Sequence, residues 1–147
     1  VLQGSLPEKA GRLQDLLFYD RQKSKSYIVK RQRKGVKNAS LNYEVTAVKG
    51  GLTYVNIDLE TGRTHQIRAQ FANLKAPVLG DGRYGSSEKT YIHLHCRKIE
   101  FTKPGGEKAV FESPVPHLEN IKFQIIAFVR RPKYRMIRCL CAEFHLS

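Results

Sequence analysis

The sequence predicts an α+β domain with a mostly antiparallel sheet and few helices. Three observations carry that expectation. Apolar and polar residues alternate over several short stretches, which is the period of a half-buried strand. Glycine-containing turns separate those stretches at hairpin spacing. One segment, from Thr64 onward, changes to the helical period of i, i+4 and i+7. Hairpins with one clear helix belong to the α+β class.

Val1-Leu2-Gln3-Gly4 reads as the end of a strand entering a turn, and residues 11–20 fit a short strand or one helical turn. Tyr27-Ile28-Val29 form a short strand inside a basic stretch. Leu41, Tyr43, Val45 and Ala47 alternate with Asn42, Glu44 and Thr46. Lys49-Gly50-Gly51 turns the chain, and Val55, Ile57 and Leu59 mark the returning strand, which Thr61-Gly62 ends. Ile67, Phe71 and Leu74 stripe a helix that Thr64 can cap and that Pro77 and Gly80 close. A strand is expected from Tyr91 to Phe101, with Ile92, Leu94 and Cys96 on one face. A turn at Pro104-Gly105-Gly106-Glu107 leads to a pairing strand from Ala109 to Glu112. Pro114-Val115-Pro116 is an extended stop, and residues 121–129 fit one more strand.

The length of 147 residues suits one domain, and composition and length exclude a solenoid array and a large multidomain enzyme. No run of 18 apolar residues exists to form a membrane span. Three cysteines, Cys96, Cys139 and Cys141, are too few and too bunched for a disulfide framework, which fits a reducing compartment. The cytoplasm is therefore expected. An organelle stays open, because any targeting segment would lie upstream of Val1.

The net charge of +13 points to a polyanion as partner. Residues 21–37 hold eight Lys/Arg and no acid, and residues 130–138 hold five more. Neither run has the amphipathic helical stripe of a membrane-surface segment. The plainer alternative is a solvated loop that only aids solubility. Within the first run, Lys23, Lys25, Arg31, Arg33 and Lys34 are the expected nucleic-acid contacts.

One stretch is specific beyond composition. In residues 59–68 (LETGRTHQIR) a strand enters a Gly-containing turn and then a helix whose first turns carry Arg63, His65, Gln66 and Arg68. A helix N-terminus offers free N–H groups and a positive dipole end. Two arginines there suit a phosphate or a buried carboxylate. Ordinary solvated arginines on a surface helix are the competing reading.

This stretch resembles the LxTGRTHQIR signature of the RluA-like family of RNA pseudouridine synthases. Pro77-Val78-Leu79-Gly80-Asp81 with Tyr84-Gly85 resembles that family's P-I-x-G-D-xx-Y-G loop. Leu94-His95-Cys96 with Ile99 and Phe101 resembles its L-H-A-xx-L-x-F strand, with Cys96 in place of Ala. Lys103-Pro104 and residues 112–116 (ESPVP) resemble its closing elements. Gly4, Gly11 and Asp20 fit its middle segment. The resemblance covers residues 1–118 as the C-terminal part of a catalytic domain and leaves 119–147 unassigned.

The resemblance implies a pseudouridine synthase-like fold, incomplete at its N-terminus. It implies an RNA partner, structured rRNA or tRNA, and an isomerisation of uridine to pseudouridine that uses no metal or organic cofactor. The family's nucleophilic Asp lies in an upstream His-Arg-Leu-Asp type stretch, and its active-site Tyr lies just before this chain starts. Arg12-Leu13-Gln14-Asp15 is a decoy for the former, so the chain alone is expected to be inactive. By position Arg68 is the partner of that Asp, and Ile67 lines the uracil pocket or belongs to the helix core. Arg63, His65 and Gln66 are expected on the substrate side, with Arg63 and His65 facing RNA phosphate or supporting the turn. A non-catalytic basic RNA-binding module is the alternative. No metal is expected: His93, His95 and Cys96 lack a zinc-type spacing, and Cys139-x-Cys141 is too tight.

Overall fold

The long alternating stretch before residue 60 becomes a set of antiparallel strands. β1 (Leu2–Gln3) precedes β2 (Ala10–Asp20), β3 (Lys25–Val29), β4 (Val36–Lys49) and β5 (Leu52–Leu59). Then come α1 (Gln66–Asn73), β6 (Leu94–Thr102), β7 (Lys108–Glu112) and β8 (Ile125–Arg131). The computed structural model describes residues 1–113 and the strand 125–131. All eight strands form one sheet in the order β3-β2-β4-β5-β8-β6-β7, with β1 beside β5.

Residues 11–20 are strand rather than helical turn because both edges of β2 are paired, with β3 on one side and β4 on the other. The β4–β5 hairpin closes between Lys49 and Leu52. Gly50 and Gly51 have φ of 59° and 74°. Two positive φ values match the twist of a two-residue hairpin, which is why glycine stands at both positions.

Period two decides which face is buried. Val55, Ile57 and Leu59 of β5 join Leu41 and Tyr43 of β4 in a core capped by Ile67 and Phe71 of α1. The Tyr43 and Phe71 rings meet edge-on at 5.7 Å. On the opposite face Arg12 grips Glu60 through two hydrogen bonds of 2.9 and 2.6 Å, and Asn42 adds a third. The Arg12 hydrogen bond is the main cause that lowers the Glu60 carboxyl to about 2. Asp15 turns instead toward α1 and accepts from Gln70 at 2.7 Å. Arg12 and Asp15 thus point to opposite sides of the sheet.

Two element boundaries differ from expectation. Thr64 does not cap α1. The cap position is His65, in the left-handed conformation with no side-chain cap, and the Thr64 carbonyl accepts from the Ser26 hydroxyl at 2.6 Å. β6 starts at Leu94 rather than Tyr91. The residues before it pass across the 77–80 segment, where the His93 amide donates to the Leu79 carbonyl.

β8 departs from the antiparallel rule, pairing parallel with both β5 and β6. It overlaps the strand expected over residues 121–129 and sits inside the sheet. The expected stop at 114–116, together with Cys139 and Cys141, lies outside the described residues. No helix among the described residues is long and apolar enough to cross a membrane.

The tightest backbone approach is at Gly80. Its φ is +83°, and a Cβ there would stand 1.8 Å from the Tyr91 carbonyl oxygen. Gly80→Ala should therefore cost more than ~2 kcal/mol in urea unfolding. Gly50→Ala, at a positive φ with nothing within 4 Å, should cost about 1 kcal/mol. Equal losses would show that the 80/91 crossing does not constrain the fold.

Candidate active site

Three pieces of chain meet at the start of α1: the β5–α1 turn, the β2–β3 hairpin, and the loop after Gly80 with its 3-10 turn at Gly82–Tyr84. Gln66 locks the first. Its side-chain oxygen accepts from the Arg63 amide at 3.0 Å and the Thr61 hydroxyl at 2.8 Å, and its amide donates to the Ser40 carbonyl at 3.0 Å. Only 3% exposed, Gln66 ties the turn to β4 and presents nothing to a solute. Arg63 is half-buried, with its Nε donating to the Asn38 carbonyl at 2.9 Å. Ile67 is a core residue, packed with Phe71.

Arg68 already has a carboxylate partner within the chain. Its Nε and Nη2 bind the two oxygens of Asp81 at 2.6 and 2.8 Å. The Asp81 side chain is 1% exposed and that of Arg68 16%. The guanidinium also lies 4.7 Å from the centroid of the Tyr84 ring. A guanidinium has five N–H donors, so this grip leaves three for another acceptor. Asp81, by contrast, has one contact on each oxygen and almost no exposed surface.

Tyr84 links all three pieces. Its hydroxyl accepts from the Ser26 amide at 2.8 Å and meets His65 Nδ1 at 3.0 Å. Burial is the main cause that raises the Tyr84 hydroxyl above its ordinary value. His65 sits at φ 54° and packs edge-on against both Tyr19 and Tyr84. Burial, with the charges of Arg68 and Arg83 adding to it, pushes its imidazole down to about 4. It is therefore neutral near pH 7. The neutral ring and the Tyr84 hydroxyl share one hydrogen bond at Nδ1.

The basic hairpin is partly structural. Lys25 donates to the Arg83 carbonyl at 2.7 Å and lies over the Tyr84 and Tyr27 rings, while Arg83 donates back to the Ser24 carbonyl at 2.8 Å. Lys25 is thus a strut between hairpin and loop. Lys23, Arg31, Arg33 and Lys34 are exposed. No group of three His, Cys, Asp or Glu side chains that would hold a metal occurs among the described residues.

Sequence reasoning brought Arg68, His65 and Arg63 to this place. It missed Asp81 as the partner of Arg68, and it missed the bridging role of Tyr84. The signal was the Gly-Asp-xx-Tyr-Gly spacing of residues 80–85, which sets a carboxylate and a phenol one 3-10 turn apart.

Removing either member of the Arg68–Asp81 pair should leave an uncompensated buried charge. Asp81→Asn should cost about 3–5 kcal/mol in chemical denaturation. A loss below ~1 kcal/mol would show that water compensates Arg68.

An NMR titration should place the His65 midpoint near 4 rather than 6.5. The unfolded state takes up this proton first as pH falls. Stability from His65 is therefore full above about 6.5 and is lost on acidification toward 4. His65→Asn, which tolerates the left-handed backbone, should show a smaller drop in melting temperature over that window. An ordinary midpoint would contradict the burial.

Comparison with known proteins follows the same residues. The family model described as RNA pseudouridylate synthase matches residues 4–73. An uncharacterized RNA pseudouridine synthase of Bacillus subtilis (strain 168), YhcT, is 34% identical over 122 residues, covering 79% of this chain and 39% of that protein. Ribosomal large subunit pseudouridine synthase D of Vibrio cholerae is 36% identical over 97 residues, covering 54% of this chain and 30% of that protein. The chain thus spans about two fifths or less of the relatives described. Among solved structures, Human RNA Pseudouridylate Synthase Domain Containing 1 aligns with a TM-score of 0.46 and 23% identity, covering 58% of this chain and 38% of that one. With the motif from Leu59 to Arg68 inside the matched region, the chain belongs to the RluA-like family of RNA pseudouridine synthases.

Proposed function

We propose that the protein isomerises uridine to pseudouridine in a structured rRNA or tRNA, and that this chain supplies one wall of the catalytic site. The observation that carries the reading is Arg68. It is anchored by Asp81 and keeps three N–H groups, enough to hold a second carboxylate. In the reaction the bond from uracil N1 to ribose C1′ breaks, the base turns, C5 bonds to C1′ while its hydrogen leaves as a proton, and N1 takes up a proton. A carboxylate serves as nucleophile or base. Asp81 is a poor choice for it, with both oxygens on Arg68 and 1% exposure. We infer that the reacting carboxylate comes from outside these 147 residues and docks on the open side of Arg68.

The surroundings suit this role. Lys25, Arg68 and Arg83 outnumber Asp81 and favour an ionised carboxylate and a phosphate backbone. His65, neutral and fixed by Tyr84, supports the wall as a hydrogen-bonding group rather than as a proton carrier at pH 7. A target base has to leave its stack to reach such a wall, at a cost of a few kcal/mol that contacts along the basic hairpin offset.

Tritium release from 5-³H-uridine RNA tests the assignment. The isolated chain should give no release above a no-enzyme control, and the intact protein should give it. In the intact protein Arg68→Ala should lower turnover about 10²-fold or more, and Arg68→Lys should restore little of it. Near-normal turnover of Arg68→Ala overturns the assignment. An intact protein that binds RNA without releasing tritium would favour the non-catalytic module.

RNA affinity should fall steeply with salt. Lys34→Ala should flatten the log–log slope by about 0.7 if that residue neutralises one phosphate of a single strand. An unchanged slope would remove Lys34 from the contact surface.

A further inference from the structure

The β2–β3 hairpin has two faces. Leu17, Tyr19 and Ser26 point inward, to Tyr84, His65 and Thr64. Phe18 and Tyr27, directly opposite each other in the register, point to the other side. The Arg33 guanidinium lies 4.8 Å from the Phe18 ring centroid, and the Lys25 ammonium lies 5.7 Å from that of Tyr27. β3 is the edge strand of the sheet, so the side of Tyr27 away from Phe18 has no neighbouring strand. The surrounding residues 21–37 carry eight Lys/Arg and no acid.

We propose that this outer face is a stacking platform for an unpaired RNA segment flanking the target uridine. Bases stack on Tyr27 and on the Arg33–Phe18 pair, while exposed Arg31 and Lys34 neutralise phosphates. The proposal rests on the RNA reading above and narrows it to single-stranded RNA. Charge alone would serve any polyanion. An aromatic pair set across two antiparallel strands adds flat surfaces that match bases, and a duplex keeps its bases stacked internally. An arginine plane on a phenylalanine extends that surface and carries charge with it. The same hairpin closes on His65 and Tyr84 with its inner face, so the platform and the catalytic wall lie on opposite sides of one hairpin.

The test is titration of the intact protein with a single-stranded oligoribonucleotide carrying 2-aminopurine, and with a duplex of the same length. Saturation with the single strand should change the 2-aminopurine fluorescence, as stacking on an aromatic does. Tyr27→Leu should weaken single-strand affinity about tenfold and abolish the change, with duplex affinity unaltered. Tyr27→Phe should retain both properties. No fluorescence change in the unmodified protein at saturation overturns the proposal. So does an equal loss of single-strand and duplex affinity in Tyr27→Leu. If Tyr27→Leu fails to fold, Arg33→Ala is measured in its place, and undiminished single-strand affinity then overturns the proposal. A protein that shows the stacking change but forms no pseudouridine supports the platform and overturns only the catalytic reading.

Discussion

The grip of Arg68 on Asp81 joins elements that nothing in local sequence forces together. Arg68 stands on the first turns of α1, and Asp81 begins the loop that returns toward β6. Two charges leave water here, which is stabilising only when geometry and further contacts compensate their desolvation. The fork of two short hydrogen bonds supplies the geometry, and the Tyr84 ring beneath the guanidinium supplies a compatible surface. With Arg68 held, Tyr84 is held. Through its hydroxyl the β2–β3 hairpin and His65 are placed as well. The wall of the site is one connected network, anchored on a carboxylate that water scarcely reaches.

Much of the fold was legible because period-two alternation survives wherever one face of a strand is buried. β4 and β5, with Val55, Ile57 and Leu59 inward, show it plainly. The Gly50-Gly51 turn was legible because few other residues adopt two positive φ values in succession. The start of α1 was misread, since a threonine before an apolar stripe looks like a cap. The helix starts one residue later at a left-handed His65, whose ring packs on Tyr19 and Tyr84 from distant parts of the chain, and no local rule carries that information. The early start assigned to β6 failed for a similar reason: Tyr91 and His93 serve the crossing over Gly80 before the ladder begins.

The site was legible in its charges and obscure in its partners. A sequence shows that Arg63, His65 and Arg68 share a turn. It does not show that Gln66 is consumed by the backbone of β4, or that Lys25 braces Arg83 rather than pointing into solvent. His65 illustrates the difference. As a lone histidine near arginines it invites a role as a charged phosphate ligand. Its burial and the neighbouring cations keep it neutral instead, and the left-handed backbone fixes its ring between two tyrosines.

The position of β8 bears on how the sheet is completed as the chain is made. Among the described residues, β8 is the strand that joins the β3-β2-β4-β5 block to the β6-β7 hairpin, and it follows β7 in the chain. Until residues 125–131 have been synthesised, the edge of β5 between Asn56 and Leu59 lacks this partner. The chain downstream of α1 is then tethered through the Arg68–Asp81 grip, the contacts of residues 83–84 with the β2–β3 hairpin, and the contacts of residues 77–79 with β1. Parallel pairing over such sequence separations is slow to form. An emerging chain would thus carry an open strand edge for the time needed to make about 65 further residues, several seconds at ordinary rates of synthesis. Such an edge is a template for pairing with another copy, so the protein's exposure to misassembly is concentrated in that interval.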